Sequence, residues 1–396
     1  MLKEEGLVMN KFIFTIALSI APLTTVMANN LEAHKEFRGA AIEVDQENWY
    51  RELRFDSWIT STLTRKDIQA VLARINDGEG LRDDTHGDFK GSWTYEFYHE
   101  AKKRALTATS YEALRDVSML FMIASYPNLQ SDFEIESLKL SVDYYVRAQT
   151  TNGDDVKHIT YKGIEGLLHM PKGVVNPPVV LWTGGVDKTL VEHREALQGV
   201  LQSGSAVLTF DMMGGGLNLG TATILGAETV AHDTMLEYIK TLDNVDSSNV
   251  SVLGSSGVGV ALMEFAVKTP ALKSVVARCA VVDGVLTKPF LLPKLPKMTT
   301  DSFGLRHGLN INDLSSYGAK TIALSLKTKG YFNGEPSMNT PLLVINTSGD
   351  VVASPEDMRA TAKMSSHSKV VFVGESGHCP GGNSDEIITQ FIIDNQ

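Results

Sequence analysis

Cysteine is nearly absent: the 396 residues hold two, Cys279 and Cys379. Such a chain is no disulfide-dense scaffold, and with neither CxxC nor HExxH it offers no metal-ligand spacing. The two thiols either pair or lie separately buried, and the sequence leaves both readings open. Positive charge is also scarce. Lys and Arg number 36 against 47 Asp and Glu, so the formal charge is −11 and the pI about 5.4. A phosphate-backbone binder needs a basic face, which argues against nucleic acid as a partner. No long like-charge run, low-complexity tract or internal repeat is present. The N-terminal apolar run, Phe12 to about Ala21, falls short of the roughly 20 residues a membrane span requires.

That same run has another meaning. It follows Lys11 and precedes Val26, Met27 and Ala28, which suit a cleavage site. Residues 1–28 therefore read as a secretory signal peptide, with a mature chain from near Asn29 in the periplasm or beyond. Hydrophobic residues make up 43% and charged residues 21%, an ordinary globular balance that allows one to three domains.

Residues 29–150 carry apolar side chains at helical spacing in "DIQAVLARI", "GSWTYEFYHEAKKRAL" and "SYEALRDVSMLFMIASY", with Ser110 as a candidate N-cap. They form an expected helical domain or cap, whose aromatics Trp93, Tyr95, Phe97 and Tyr98 either pack it or line a pocket. The pattern changes after Thr151. "VKHITY" and "GLLHM" alternate like two antiparallel strands joined through "KGIE". Then strands and helices alternate: "PVVLW", "TLVEHREALQGVLQ", "AVLTF", "ETVAHDTMLEYIKTL", "NVSVL", "VGVALMEFAVK", "LKSVVARCAVV", "PLLVINT", "KVVFV" and "DEIITQFIID". Continuous apolar strands between helices predict an α/β domain over 151–396, with a mostly parallel sheet of about eight strands. An insertion at about 286–339 breaks the alternation and suits a lid over the strand ends. Pro289, Pro293 and Pro296 favour a loop at its start.

The chemistry centres on "VLGSSGVGVALMEFA", residues 252–266, a strand entering a glycine-rich turn and then a helix. A nucleophile on such a turn needs small neighbours because the backbone is tight. Gly254, Gly257 and Gly259 register the turn on Ser256; Ser255 is the second choice, since it would put Leu253 at the small position. Val258 stands where G-x-S-x-G has glycine. Asp350 follows "PLLVINT" and His378 follows "KVVFV", the loops expected to supply an acid and a base in the order Ser, Asp, His. An oxyanion would take the N–H groups of Gly257 and of Val186, in the loop "TGGVDKTL". Asp187 next to it either caps a helix from Thr189 or faces the substrate. "FDMMGGGLNLG", residues 210–220, fits no nucleotide-binding fingerprint and suits a loop lining this site. No cofactor motif is visible, and no metal is expected.

These stretches resemble α/β-hydrolases of the FrsA-like group, whose wider relatives include 2,6-dihydroxypseudooxynicotine hydrolase and fungal polyketide chain-shortening hydrolases. The resemblance rests on "GIEGLLHMPKG", "PPVVLWTGGVDKTLVEH", "GSAVLTFDMMGGG", "LDNVDSSNVSVLGSSGVGVALMEFA", "TPLLVINTSGDVV" and "ESGHCPGG", over about residues 155–395. It implies an α/β-hydrolase fold with a helical N-terminal part and a site between the two. The chain departs from these relatives at "DMMGGGLNL", where many have D-x-P-G-x-G-x-S, at Val258, and in its signal peptide. The expected activity is an exported serine hydrolase. It would cleave a small-molecule carboxylic ester, or a C–C bond next to a ketone, through Ser256, His378 and Asp350. Phe290, Leu291, Leu292 and Phe303 of the insertion suggest an apolar acyl or aromatic group. The alternative is a non-catalytic binding or regulatory protein on the same fold.

Overall fold

The computed structural model describes residues 55–75, 89–126, 131–221, 225–288, 290–291, 297–307 and 314–396. The expected signal peptide, together with Pro289, Leu292, Pro293 and Pro296, lies outside the described residues.

Among the described residues five helices come first: α1 (Phe55–Trp58), α2 (Arg65–Leu72), α3 (Trp93–Ala105), α4 (Tyr111–Ser125) and α5 (Asp132–Thr151). The last four begin at Thr64, Ser92, Ser110 and Ser131, whose hydroxyls accept the backbone N–H three residues on. Each such cap contributes about 1 kcal/mol by satisfying an otherwise orphaned donor. Helix α4 is buried from Leu114 to Ser125. It lies between α3 and α5, where Ser118 and Ser141 each donate to the other's carbonyl at 2.8 Å. Trp93 and Phe97 belong to this helical core, with Phe55, Trp58 and Phe121. The core continues onto Val156, Leu167, Leu190 and Val191, so the helices share apolar packing with the sheet.

The sheet has eight strands: β1 (Asp155–Tyr161), β2 (Ile164–Met170), β3 (Pro178–Thr183), β4 (Ala206–Phe210), β5 (Asp246–Ser255), β6 (Val275–Arg278), β7 (Leu342–Asn346) and β8 (Ser368–Phe372). Their spatial order is β1-β2-β4-β3-β5-β6-β7-β8. The pairs β1/β2 and β2/β4 are antiparallel and the rest parallel, which is the mixed, mostly parallel sheet expected. The first hairpin turns on two residues, Lys162 and Gly163, both at positive φ (49° and 80°). That matches the twist of paired strands. Side chains alternate between two cores. Val179, Leu181, Val252 and Val344 face one; Val180, Trp182, Leu253 and Ile345 face the other. Both faces are covered, so the parallel strands read as continuous apolar runs.

Two elements are shorter than the sequence suggests. "TLVEHREALQGVLQ" forms a 3-10 turn at Leu190–His193 and then α6 (Gln198–Gln202). All four residues of the turn are buried, so this first part of the segment has no solvent face along which an amphipathic helix could run. Strand β6 stops at Arg278 because Cys279 turns to φ 44°. Six further helices follow among the described residues: α7 (Val230–Ile239), α8 (Gly259–Lys268), α9 (Lys297–Arg306), α10 (Leu314–Leu324), α11 (Pro355–Ala362) and α12 (Ser384–Ile393). Helices α9 and α10 lie within 286–339. Because β3 to β8 run parallel, the loops after β3, β4, β5, β6, β7 and β8 all emerge at one edge of the sheet.

Candidate active site

Ser256 directly follows β5 and opens the turn into α8 at φ 57°, a left-handed conformation rare for a side-chain-bearing residue. Strain of this kind costs about 1–3 kcal/mol and is held by surrounding structure. That structure is tight. A Cβ on Gly185 would sit 2.8 Å from Ser256 Cβ and 3.2 Å from its Oγ, and a Cβ on Gly257 would collide with Val186. The segment Gly185–Val186 can therefore run directly against the serine only because positions 185 and 257 are both glycine.

Val258, the residue that breaks the elbow pattern, is fully buried in the core beneath the sheet. It adopts ordinary helical angles (φ −80°, ψ −4°), so glycine is not required there. Its Cγ1 occupies the space over Gly254, 2.8 Å from where a Cβ would stand. Val258→Gly should thus lower stability by about 2–4 kcal/mol through a cavity and a looser backbone. Urea unfolding of the variant measures this, and an unchanged midpoint would refute it.

Ser256 Oγ lies 2.7 Å from His378 Nε2, and His378 Nδ1 lies 2.8 Å from Asp350 Oδ2. Asp350 is buried, whereas the His378 side chain is about a quarter exposed, at 23%. Asp350 Oδ2 also accepts from Asn346 Nδ2 at 2.9 Å, and Oδ1 accepts from the N–H of Val352 and Ala353 at 2.8 and 3.1 Å. Burial alone would raise this carboxyl. The hydrogen bonds and the charge of His378 outweigh it and hold Asp350 below the ordinary carboxylate range. Ser255, the second choice as nucleophile, ends the strand at φ −124°, and it is the Oγ of Ser256 that meets His378.

Asp187 does not cap the following turn; Thr189 occupies the cap position there. Its Oδ2 instead accepts from Thr299 Oγ1 of α9 at 3.2 Å. Arg306, at the end of the same helix, donates from Nε to the carbonyl of Val186. The segment carrying Val186 and Asp187 is therefore held from above by α9. Arg306 is buried and was not signalled by the sequence, since a single arginine in "FGLRHG" forms no pattern. The glycine-rich loop after β4 explains how it fits: Arg306 Nη1 would stand 2.5 Å from a Cβ on Gly215.

Asp211 begins that loop, fully buried, and Arg306 is among the charges acting on it. Burial pushes its carboxyl from 3.8 up to about 7, with Arg306 pulling the other way. The folded state thus keeps a proton that the unfolded chain releases above pH 3.8, so stability falls as pH rises from about 4 to 7. Asp211→Asn should remove that slope, making the variant more stable than the parent at pH 8 by on the order of 2–4 kcal/mol and equal to it near pH 4. Melting curves of both proteins across this range test it.

A small cavity of about 20 Å³ adjoins the elbow, lined by Gly257, Met212, Met213, Leu286, Phe303 and Leu324. Its lining is mostly apolar. His307 also lines it, and burial pushes that imidazole down to about 4, so it is neutral at ordinary pH. Phe303 reaches the cavity as a lid residue would, whereas Phe290 is exposed. Behind it, Lys329 bridges Glu228 at 2.8 Å and Glu264 of α8 at 3.0 Å, tying the end of the insertion to the elbow helix.

The two cysteines pair, with Cα atoms 4.9 Å apart. Among the described residues, Cys279, His378 and Cys379 have metal-ligand spacing, but the disulfide leaves neither cysteine a thiolate to offer.

An eight-stranded, mostly parallel sheet in this order, with a serine on the turn between the central strand β5 and its helix, defines an α/β-hydrolase. The chain belongs to the Esterase FrsA-like family, whose model matches residues 15–377. It is therefore a hydrolase of the esterase type. Esterase FrsA of Vibrio cholerae serotype O1 is 27% identical over 371 residues, covering 88% of this chain and 87% of the relative. Esterase FrsA of Photobacterium profundum is 24% identical over 355 residues, with 84% of each chain covered. Two solved structures share the fold. AbyA5 superposes with a TM-score of 0.63 at 18% identity, over 78% of this chain and 82% of its own. The 2,6-dihydroxy-pseudo-oxynicotine hydrolase gives 0.60 at 18% identity, over 76% and 86%.

Proposed function

We propose that this esterase cleaves small carboxylic esters through an acyl-enzyme on Ser256, with His378 as base and Asp350 orienting it. The observation that carries this reading is the unbroken chain Ser256 Oγ, His378 Nε2, His378 Nδ1, Asp350 Oδ2 at 2.7 and 2.8 Å. Ser256 Oγ attacks the ester carbonyl while His378 Nε2 takes its proton. The resulting oxyanion accepts from the N–H groups of Gly257 and Val186, which flank the serine. Collapse expels the alkoxide, and His378 returns the proton to it. Water then repeats the cycle and releases the carboxylic acid. Asp350 stays ionised throughout and stabilises the imidazolium.

The apolar cavity beside Gly257, at about 20 Å³, suits no more than a small aliphatic acyl group. Ester cleavage is favoured over cleavage of a C–C bond next to a ketone. An alkoxide needs only the proton from His378, whereas a carbanion needs further stabilisation. Export to an oxidising compartment is part of the same reading. The apolar run from Phe12 and the Cys279–Cys379 bond both support it, since disulfides persist mainly outside the reducing cytosol. No helix among the described residues is long and apolar enough to cross a membrane.

The test is peptide mapping of the chain after reaction with a fluorophosphonate probe, together with a chain-length series of p-nitrophenyl esters. The adduct is expected on Ser256, with a preference for short acyl groups. Labelling at another residue, or no labelling and no turnover, would overturn the reading. N-terminal sequencing of the exported chain is expected to begin at Asn29.

A further inference from the structure

His378 sits on a loop held at few points: the Ser348 N–H donates to the Gly374 carbonyl at 3.1 Å and Thr347 Oγ1 to the Gly377 carbonyl at 2.6 Å. Residues 374–379 include no fully buried residue, and the segment reads "GESGHC" before Pro380. A Cβ on Gly374, Gly377, Gly381 or Gly382 would meet nothing within 4 Å, whereas one on Gly349 would collide with the Glu375 carbonyl oxygen, so the loop touches its neighbours at a few points and is open elsewhere. A base on such a loop is better placed with a further anchor, since its Nε2 must stay within hydrogen-bond reach of Ser256.

The residue after His378 is Cys379, bonded to Cys279. Cys279 is fully buried and directly follows β6. Its N–H donates to the carbonyl of Ile345 in β7 at 2.8 Å, so its position is set by the sheet itself. Arg278 reinforces the same junction, donating to the Pro380 carbonyl at 2.6 Å and pairing with Asp385 at 2.8 Å. Both cysteines are held in the left-handed region, at φ 44° and 70°. Non-glycine residues persist there when surrounding structure imposes it. Cys379 itself is half-buried and within reach of a small thiol, whereas Cys279 is not.

We propose that the Cys279–Cys379 disulfide is a positioning pair for His378, so that the esterase turns over rapidly only when the bond is formed. This rests on His378 being the catalytic base. A dithiol would attack the half-exposed Cys379 sulfur and then close on itself. It gives up two electrons and two protons, leaving two cysteine thiols and an oxidised cyclic disulfide. His378 then keeps its bond to Asp350, and its loop keeps the hydrogen bonds from Thr347 to the Gly377 carbonyl and from Arg278 to the Pro380 carbonyl, but the covalent tie to the sheet is gone. The acyl cavity involves neither cysteine, so binding should survive while the chemical step suffers.

The experiment compares the oxidised full chain, the same protein reduced with dithiothreitol, and the reduced protein reoxidised. The readouts are kcat and KM on one p-nitrophenyl ester and the rate of fluorophosphonate labelling, with circular dichroism at the assay temperature. Reduction is expected to lower kcat and the labelling rate by on the order of 10²-fold, with KM within about threefold, because a displacement of about 1 Å has that effect. Reoxidation should restore both rates. The C279A/C379A variant, which removes the bond without putting a β-branched side chain at positive φ, should match the reduced protein and ignore the reductant. A folded reduced protein with unchanged kcat would overturn the proposal. So would loss of the whole fold in both reduced and variant proteins, which would assign the bond to global stability. Absence of labelling in the oxidised protein would instead sink the serine-hydrolase reading itself.

Discussion

Ser256→Ala should lower kcat/KM on p-nitrophenyl esters by about 10⁴-fold or more and abolish fluorophosphonate labelling. Removing a nucleophile that acts together with its base takes away the covalent route entirely, and such losses reach about 10⁶-fold in a serine protease. What remains comes from binding and the oxyanion donors alone. The fold should not suffer. Alanine keeps the Cβ that the elbow already accommodates beside Gly185, and Ser256 is already at φ 57°, so no new backbone strain arises. The variant's melting temperature should stay within a few degrees of the parent's. Retained activity in a folded variant would move the nucleophile elsewhere.

Asp350→Asn should lower kcat by on the order of 10⁴-fold, the loss seen when the same exchange is made in a serine-protease triad. The reason lies in the hydrogen-bond geometry. Oδ1 accepts two backbone N–H groups, from Val352 and Ala353, and an asparagine must keep its oxygen there. Its amide then takes the place of Oδ2, which now accepts from Asn346 Nδ2 and faces His378 Nδ1. A donor would meet donors. His378 would turn to the tautomer protonated at Nε2, which points at Ser256 and cannot take its proton. The parent carboxylate has a depressed pKa, so its contribution to stability is present above about pH 4 and is lost as pH falls through the folded value. The variant should lack that acid sensitivity. Steady-state kinetics and melting curves between pH 3 and 8 measure both effects, and a kcat within tenfold of the parent would argue that Asp350 only shapes the loop.

How much of this is legible without coordinates depends on how local each signal is. The strands and helices of the sheet domain are readable because apolar runs and amphipathic stretches repeat at their own periods. The hairpin is readable for the same reason, although its turn is two residues rather than the four in "KGIE". Ser256, Asp350 and His378 each follow an apolar strand in a loop of small and polar residues, so chain order alone nominates them. Leu190–His193 is misread as helix because its burial comes from two units that meet there, which no local window contains. Arg306 carries no pattern at all. It becomes relevant through the Val186 carbonyl, 120 residues away.

The sequence by itself determined the class of fold, the elbow and the three residues nominated around it, since periodicity and strand-to-loop order are properties of neighbouring positions. Tertiary structure alone decided what surrounds them. It closes the two cysteines across 100 residues beside His378, buries Val258 over Gly254, and sets Arg306 against the segment of Val186. Each of these is a contact between distant positions, made by the sheet order, and burial at a distance leaves no mark on the residues nearby.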